Sequence, residues 1–218
     1  MIPSMKPFIS KLLVCTLLCC ALCAKADADA PTSEIPSKDY PSCFKAWDKK
    51  MHTLQTRFIQ TTDYDGTIIS KSEGRISYDQ KGPKLRLDNL EGETVLQSAL
   101  TDKKQIYILD EKGKEISKIS WTDWVAGQPN KALFDFGNYE QLLTVHRVSV
   151  QEQNAEQAVL KLVPITPQEN YILYVTVAAD DCFPQQITVE SDLIKTTAVL
   201  TDKKLNLPLP NDIFKELK

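Results

Sequence analysis

The residues best suited to nucleophilic, metal or proton chemistry in this chain are two histidines, His52 and His146, and two cysteines beyond the first thirty residues, Cys43 and Cys182. Their spacing does not assemble a site. No His/Cys cluster has zinc-ligand spacing, and the GxSxG, P-loop and HExxH patterns are absent. His52 falls on the polar side of a helical stretch, between Met51 and Thr53. His146 follows another helical run, where a cation complements the helix C-terminus. Both read as surface histidines. Asp63 with Asp65, and Asp180 with Asp181, lack the six or more oxygens that calcium requires. Short acidic side chains of this kind bond the local backbone of turns. A glycosidase needs two carboxylates across a cleft, and nothing singles out such a pair among 29 acidic residues. The chemistry-bearing residues therefore predict a non-catalytic protein that needs no metal and no cofactor.

The first thirty residues explain the other cysteines. Lys6 and Lys11 precede an uncharged apolar run from Leu12 to Cys23, and Ala24, Ala26, Ala28 and Ala30 then alternate with charges. That is the pattern of a secretory signal peptide over 1–26, with cleavage after Ala26, Ala28 or Ala30. Twelve residues span about 18 Å as a helix, too short for a bilayer core of about 30 Å. Cys15, Cys19, Cys20 and Cys23 lie in this leader. Cys19, Cys20 and Cys23 follow Leu18, Cys19 and Leu22, not the small residue that a lipobox wants. The mature chain keeps Cys43 and Cys182. In an oxidising compartment they either pair or stay as two buried thiols, since sequence does not show their separation. The leader implies a protein that folds outside the cytoplasm, with a periplasm as the expected compartment.

Without residues 1–26 the chain carries 23 basic and 29 acidic side chains, a net of −6. That balance excludes nucleic acid, which recruits a basic face, and electrostatic docking on anionic lipid. No later segment is apolar over a membrane-spanning length. The expectation is a soluble monomer.

The elements that position these residues follow from periodicity. Residues 27–42 hold three prolines and read as an extended arm. Phe44, Trp47, Met51, Leu54 and Phe58 are spaced 3, 4, 3, 4, one face of a helix with Ser42 as N-cap. The helix gives way to a strand near Leu54. Short alternating strands follow, among them Gly74–Tyr78, Pro83–Leu87 and Gln105–Leu109, separated by turns such as Asp63–Gly66 and Glu111–Lys114. Residues 121–146 interrupt this rhythm with short helices over Lys131–Asp135 and Asn138–Val145. Strands resume at Arg147–Gln151, Ala158–Val163, Tyr171–Ala178, Gln185–Ser191 and Thr196–Leu200. The sum is a single, mainly β (α+β) domain over 43–218. It is a curled, incomplete antiparallel β-barrel of about eleven strands with two or three short helices covering the concave face.

The order of motifs is similar to one family. A signal peptide and short helix precede Phe58-x-Gln60, then Gly74-Arg-Ile-Ser-Tyr and Pro83-Lys-Leu-Arg-Leu. Thr101-Asp-Lys-Lys-Gln-Ile-Tyr-Ile-Leu-Asp, Phe183-Pro-Gln-Gln-Ile and Leu207-Pro-Leu-Pro-Asn-Asp-Ile-Phe follow. Over about residues 44–214 this resembles the periplasmic outer-membrane lipoprotein carriers (LolA). The resemblance implies a carrier that binds acyl chains of lipoproteins in an apolar cavity and moves them from the inner to the outer membrane. It implies an inner-membrane lipoprotein-releasing transporter and an outer-membrane receptor as partners. The alternative on the same fold is a sensor or adaptor that binds a periplasmic protein. The family's aromatic pair leading into the first strand corresponds to Leu54 and Phe58, and its aromatics after the proline to Leu85 and Leu87. Ile76, Tyr78, Ile106, Ile108, Leu142, Leu160 and Leu162 complete the expected acyl-chain cavity. The carriers place an arginine before that proline to hold the lid. Gly82 stands there in this chain, with Lys81 and Lys84 nearby, and lysine lacks the planar fork of arginine.

Overall fold

The computed structural model describes residues 38–126 and 136–217. The leader, residues 27–37 of the arm and the short helix expected over Lys131–Asp135 lie outside the described residues.

Helix α1 (Tyr40–Lys50) buries Tyr40, Phe44 and Trp47, and Met51 continues that stripe at its C-cap. Asp39, not Ser42, is the N-cap. Its carboxylate accepts the Ser42 N–H at 3.1 Å, which holds the carboxyl below its usual range. Pro41 occupies the first turn, where a missing N–H costs nothing. His52 is off the helix, in the turn before β1, where the Asn206 side chain accepts its backbone N–H at 2.7 Å.

Eleven strands follow. They are β1 (Thr53–Tyr64), β2 (Thr67–Asp79), β3 (Lys84–Glu91), β4 (Thr94–Thr101), β5 (Gln105–Leu109) and β6 (Glu115–Ser120), then β7 (His146–Gln153), β8 (Gln157–Pro164), β9 (Ile172–Ala178), β10 (Pro184–Ser191) and β11 (Ile194–Leu205). Between β6 and β7 lie α2 (Trp121–Ala126) and α3 (Tyr139–Thr144). All pairings are antiparallel, in the order β6-β5-β4-β3-β2-β1-β11-β10-β9-β8-β7. Strand β1 is the centre, from which two meanders run outward. The edge strands β6 and β7 do not pair, so the sheet stays open, an incomplete curled barrel of the predicted class.

Cys43 and Cys182 form a disulfide with Cα atoms 5.9 Å apart, well within bridging range. It ties α1 to the turn between β9 and β10. The C-terminal segment runs along β3: the Arg86 guanidinium donates to the Ile213 carbonyl at 3.2 Å and faces Glu216 at 3.6 Å. Arg86 also donates to Asp88 at 2.7 Å, and Asp88 accepts from the Ser98 hydroxyl at 2.6 Å.

The expectation for the second histidine is overturned as well. His146 is buried, not a surface residue. Its Nδ1 lies 2.7 Å from the Leu142 carbonyl and its Nε2 lies 3.0 Å from the Tyr171 hydroxyl. With both ring nitrogens partnered, burying the imidazole carries no unsatisfied polar group.

Candidate functional site

Cross-strand partners in an antiparallel sheet point to the same side, so the register assigns a face to each predicted residue. One row runs Leu54–Tyr78–Leu85–Thr101–Ile106–Ile119 across β1 to β6. The next runs Thr56–Ile76–Leu87–Ala99–Ile108–Ser117. A third begins Phe58–Gly74–Asn89–Gln97, where apolar character ends. On the other side of β1, Ala198–Ile187–Val175–Leu160–Val150 and Thr196–Val189–Leu173–Leu162–Val148 form the matching rows. Ten of the eleven expected cavity residues therefore stand on these rows, and Leu142 packs against the same core from α3.

Their environments divide the face in two. Leu54, Phe58, Ile76, Tyr78, Leu85, Leu160 and Leu162 are sealed beneath α1 and the chain leading into α3. An aromatic cluster does the sealing. Phe44 stacks on Tyr139 at 4.8 Å between ring centroids, Tyr78 meets Phe136 at 6.0 Å, and Trp47 meets Phe183 edge-on at 5.5 Å. The side chains of this half belong to one buried apolar cluster. Gly74 belongs to the same packing: a Cβ there would stand 2.6 Å from the Phe58 ring. The β3–β6 half differs. Ile106 is buried, but Leu87 and Ile108 are only half-buried, and Ile119 at the open edge is 38% exposed.

What holds the helices over the face is not at the position before Pro83. Lys84 lies over the Phe214 ring of the C-terminal segment, at 6.0 Å. Instead, the buried Asp48 of α1 accepts the backbone N–H groups of Gly137 at 2.8 Å and Tyr139 at 2.9 Å. Lys103, in the β4–β5 turn, donates to the Phe136 carbonyl at 2.7 Å. Glu140 of α3 bridges Lys45 and Lys49 of α1, and these ammonium groups lower its carboxyl to about 2. Sequence reading missed Asp48, although the signal was present. It stands four residues after Phe44 and three before Met51, so an acid sits on the apolar stripe of α1. An acid there needs a partner that only the fold can bring.

One open crevice, about 570 Å³, is lined by Gln55, Arg57, Arg75, Ser77 and Lys204 among others. Arg57 pairs with Glu93 at 3.0 Å and its guanidinium is raised above its ordinary range by that partner. A second, about 320 Å³, lies beside α1 between Trp47, Met51 and Leu205. Among the described residues no group of His, Cys, Asp and Glu is arranged to hold a metal ion, and no described helix is long and apolar enough to cross a membrane.

No family model matches the sequence, and no curated protein matches it. Solved structures do resemble it. An uncharacterized conserved protein from Thermus thermophilus is similar at a TM-score of 0.53 and 10% identity, over 82% of this chain and 93% of that one. A LolA superfamily protein from Nitrosomonas europaea is similar at 0.44 and 14%, over 82% and 98%. The lipoprotein LppX from Mycobacterium tuberculosis is similar at 0.47 and 10%, over 78% and 95%. At these identities the likeness is one of fold.

Proposed function

We propose that this chain is an exported, single-domain carrier of the LolA type. Cleaved of its leader, it shelters lipoprotein acyl chains against the concave face on their way between the two membranes. The observation that carries the reading is the β3–β6 half of that face. There Leu87, Ile108 and Ile119 offer aliphatic side chains at an open sheet edge, beside a lid of aromatic residues. Each acyl methylene removed from water contributes about 0.8 kcal/mol, so even part of a chain laid along two rows binds usefully. Transfer to a more apolar site then needs no chemical energy, which suits a protein without a catalytic set. The sealed half becomes available to ligand only if α1 and the segment before α3 move outward together. The disulfide at Cys43 and the Lys103–Phe136 hydrogen bond tie these pieces to the sheet and resist that motion, so acyl chains are expected to enter from the β6 side.

The test places a photo-crosslinking residue at Leu87 or Ile108 in cells. Acylated lipoproteins should be trapped at both; Ile108→Glu should abolish the adduct formed from position 87, and Leu87→Glu the adduct formed from position 108, with thermal unfolding of each variant showing the fold intact. Recovery of no acylated adduct from either position sinks the carrier reading. Leu85 is unsuitable as a probe, because it is fully packed and a charge there would unfold the domain.

A further inference from the structure

Five large apolar side chains are exposed together at one end of the sheet. Tyr64, Ile68 and Ile69 occupy the β1–β2 hairpin tip, and Leu193 with Ile194 occupies the β10–β11 tip. Their exposures run from 45% to 65%; Leu193 stands in a turn and the other four at the strand ends beside the two turns. The two tips form one body. Tyr64 pairs with Ile194 in the β1–β11 ladder, and the Asp65 N–H donates to the Leu193 carbonyl at 2.9 Å. Each turn is braced: Asp63 accepts the Gly66 N–H at 2.7 Å, and the Asn170 amide donates to Asp192 at 2.7 Å. A rigid apolar projection of this kind is preorganised for association, which removes part of the ordering cost.

We infer that this double tip docks a partner protein that presents an apolar groove rimmed by lysine or arginine. Charge decides the occupant. Residues 63–71 and 190–195 hold Asp63, Asp65, Glu190 and Asp192 against Lys71 and Lys195, a net of −2. Lys195 is already paired with Glu190 at 3.0 Å. An anionic bilayer surface repels such a rim by about 1 kcal/mol per charge. A second copy brings the same acidic rim, so a two-fold contact between tips sets like-charged patches together. A basic-rimmed groove meets both the apolar tip and its acidic flank. The inference does not require the lipid-carrier reading.

A photo-crosslinker at Ile68 of the full chain in its host should yield one discrete protein adduct, absent with the crosslinker at Ile116, an exposed residue of β6. With that partner purified, Ile68→Glu plus Leu193→Glu should raise Kd at least tenfold. Asp65→Lys plus Asp192→Lys should do the same, and wild-type binding should weaken as salt is added. Unchanged thermal unfolding of these surface variants separates docking from folding. The inference is overturned if adducts at Ile68 and Ile116 are alike, or if the purified partner is indifferent to both double variants. It is equally overturned if the tip variants abolish only binding to phosphatidylglycerol–phosphatidylethanolamine vesicles, or only concentration-dependent dimerisation. Leu87→Glu should leave docking unchanged, so failure of acyl binding and failure of docking are read separately.

Discussion

The carboxylate of Asp48 in α1 accepts the backbone N–H of Tyr139, ninety-one residues further along the chain, at 2.9 Å. One buried acid thus caps the start of α3 and fixes it against α1. Asp48→Ala leaves the buried Tyr139 N–H without its carboxylate, at a cost of about 1–3 kcal/mol, and also frees the partly exposed Gly137 N–H, which water can reach. Urea unfolding should show the loss in midpoint, and hydrogen exchange should show faster opening of 136–144 than of the β8–β10 strands. Exchange that accelerates uniformly would remove Asp48 from this local role.

The Cys43–Cys182 bridge closes a loop of 139 residues. Chain entropy assigns such a loop an upper figure of about 4–5 kcal/mol. Cys43→Ser with Cys182→Ser should therefore lose roughly 2–5 kcal/mol, matched by wild-type protein held in reductant. A double variant as stable as the oxidised protein would contradict this.

Acid should loosen α1 from α3. The Glu140 carboxyl is depressed from 4.5 to about 2 by Lys45 and Lys49. A depressed folded-state value contributes stability that is present above the unfolded value and lost as pH falls through the folded one. The window is therefore from about 4.5 down to about 2. Glu140→Gln should remove part of the acid sensitivity in that window and leave the pH dependence near neutrality unchanged. Equal acid titration of variant and wild type would count against the clamp.

Gly137 has φ of +79°, and a Cβ there would fall on the Tyr78 hydroxyl. Gly137→Ala should strain the backbone and displace the ring together, lowering stability by about 1–3 kcal/mol. Gly92, also at positive φ but with open space around it, is the control. Gly92→Ala meets the backbone strain alone and should cost less. Thermal melts of the two variants check the order.

Leu54→Ala and Leu87→Ala should part company. Leu54 is fully enclosed, and its truncation leaves a cavity worth about 2–5 kcal/mol. Leu87 is half-buried and should cost clearly less in stability, while lowering acyl-chain crosslinking. Equal destabilisation of both would erase the distinction between the two halves of the face.

Much of the architecture was legible in the residues. Alternation such as Ile76-x-Tyr78 and Leu85-x-Leu87 determined which side of each strand is apolar, because strand side chains point to opposite faces in turn, whereas the helical spacing that ran on through Leu54 and Phe58 overshot, since both stand in β1. The 3-and-4 spacing of Phe44, Trp47 and Met51 determined a helix with one buried stripe. What covers each patch was not legible, since that depends on residues brought from far along the chain. The register alone put Leu54 and Leu87 on one face, and tertiary packing alone placed aromatic rings over the first and left the second half-open. The same reason buried His146, whose two nitrogens find Leu142 and Tyr171. It also joined Cys43 to Cys182, and turned an acid on an apolar helix stripe into the cap of a second helix. Sequence carries the preference of each residue for water or for oil. Distance between residues far apart in sequence, and hence sealing, pairing and capping, exists only once the chain has folded.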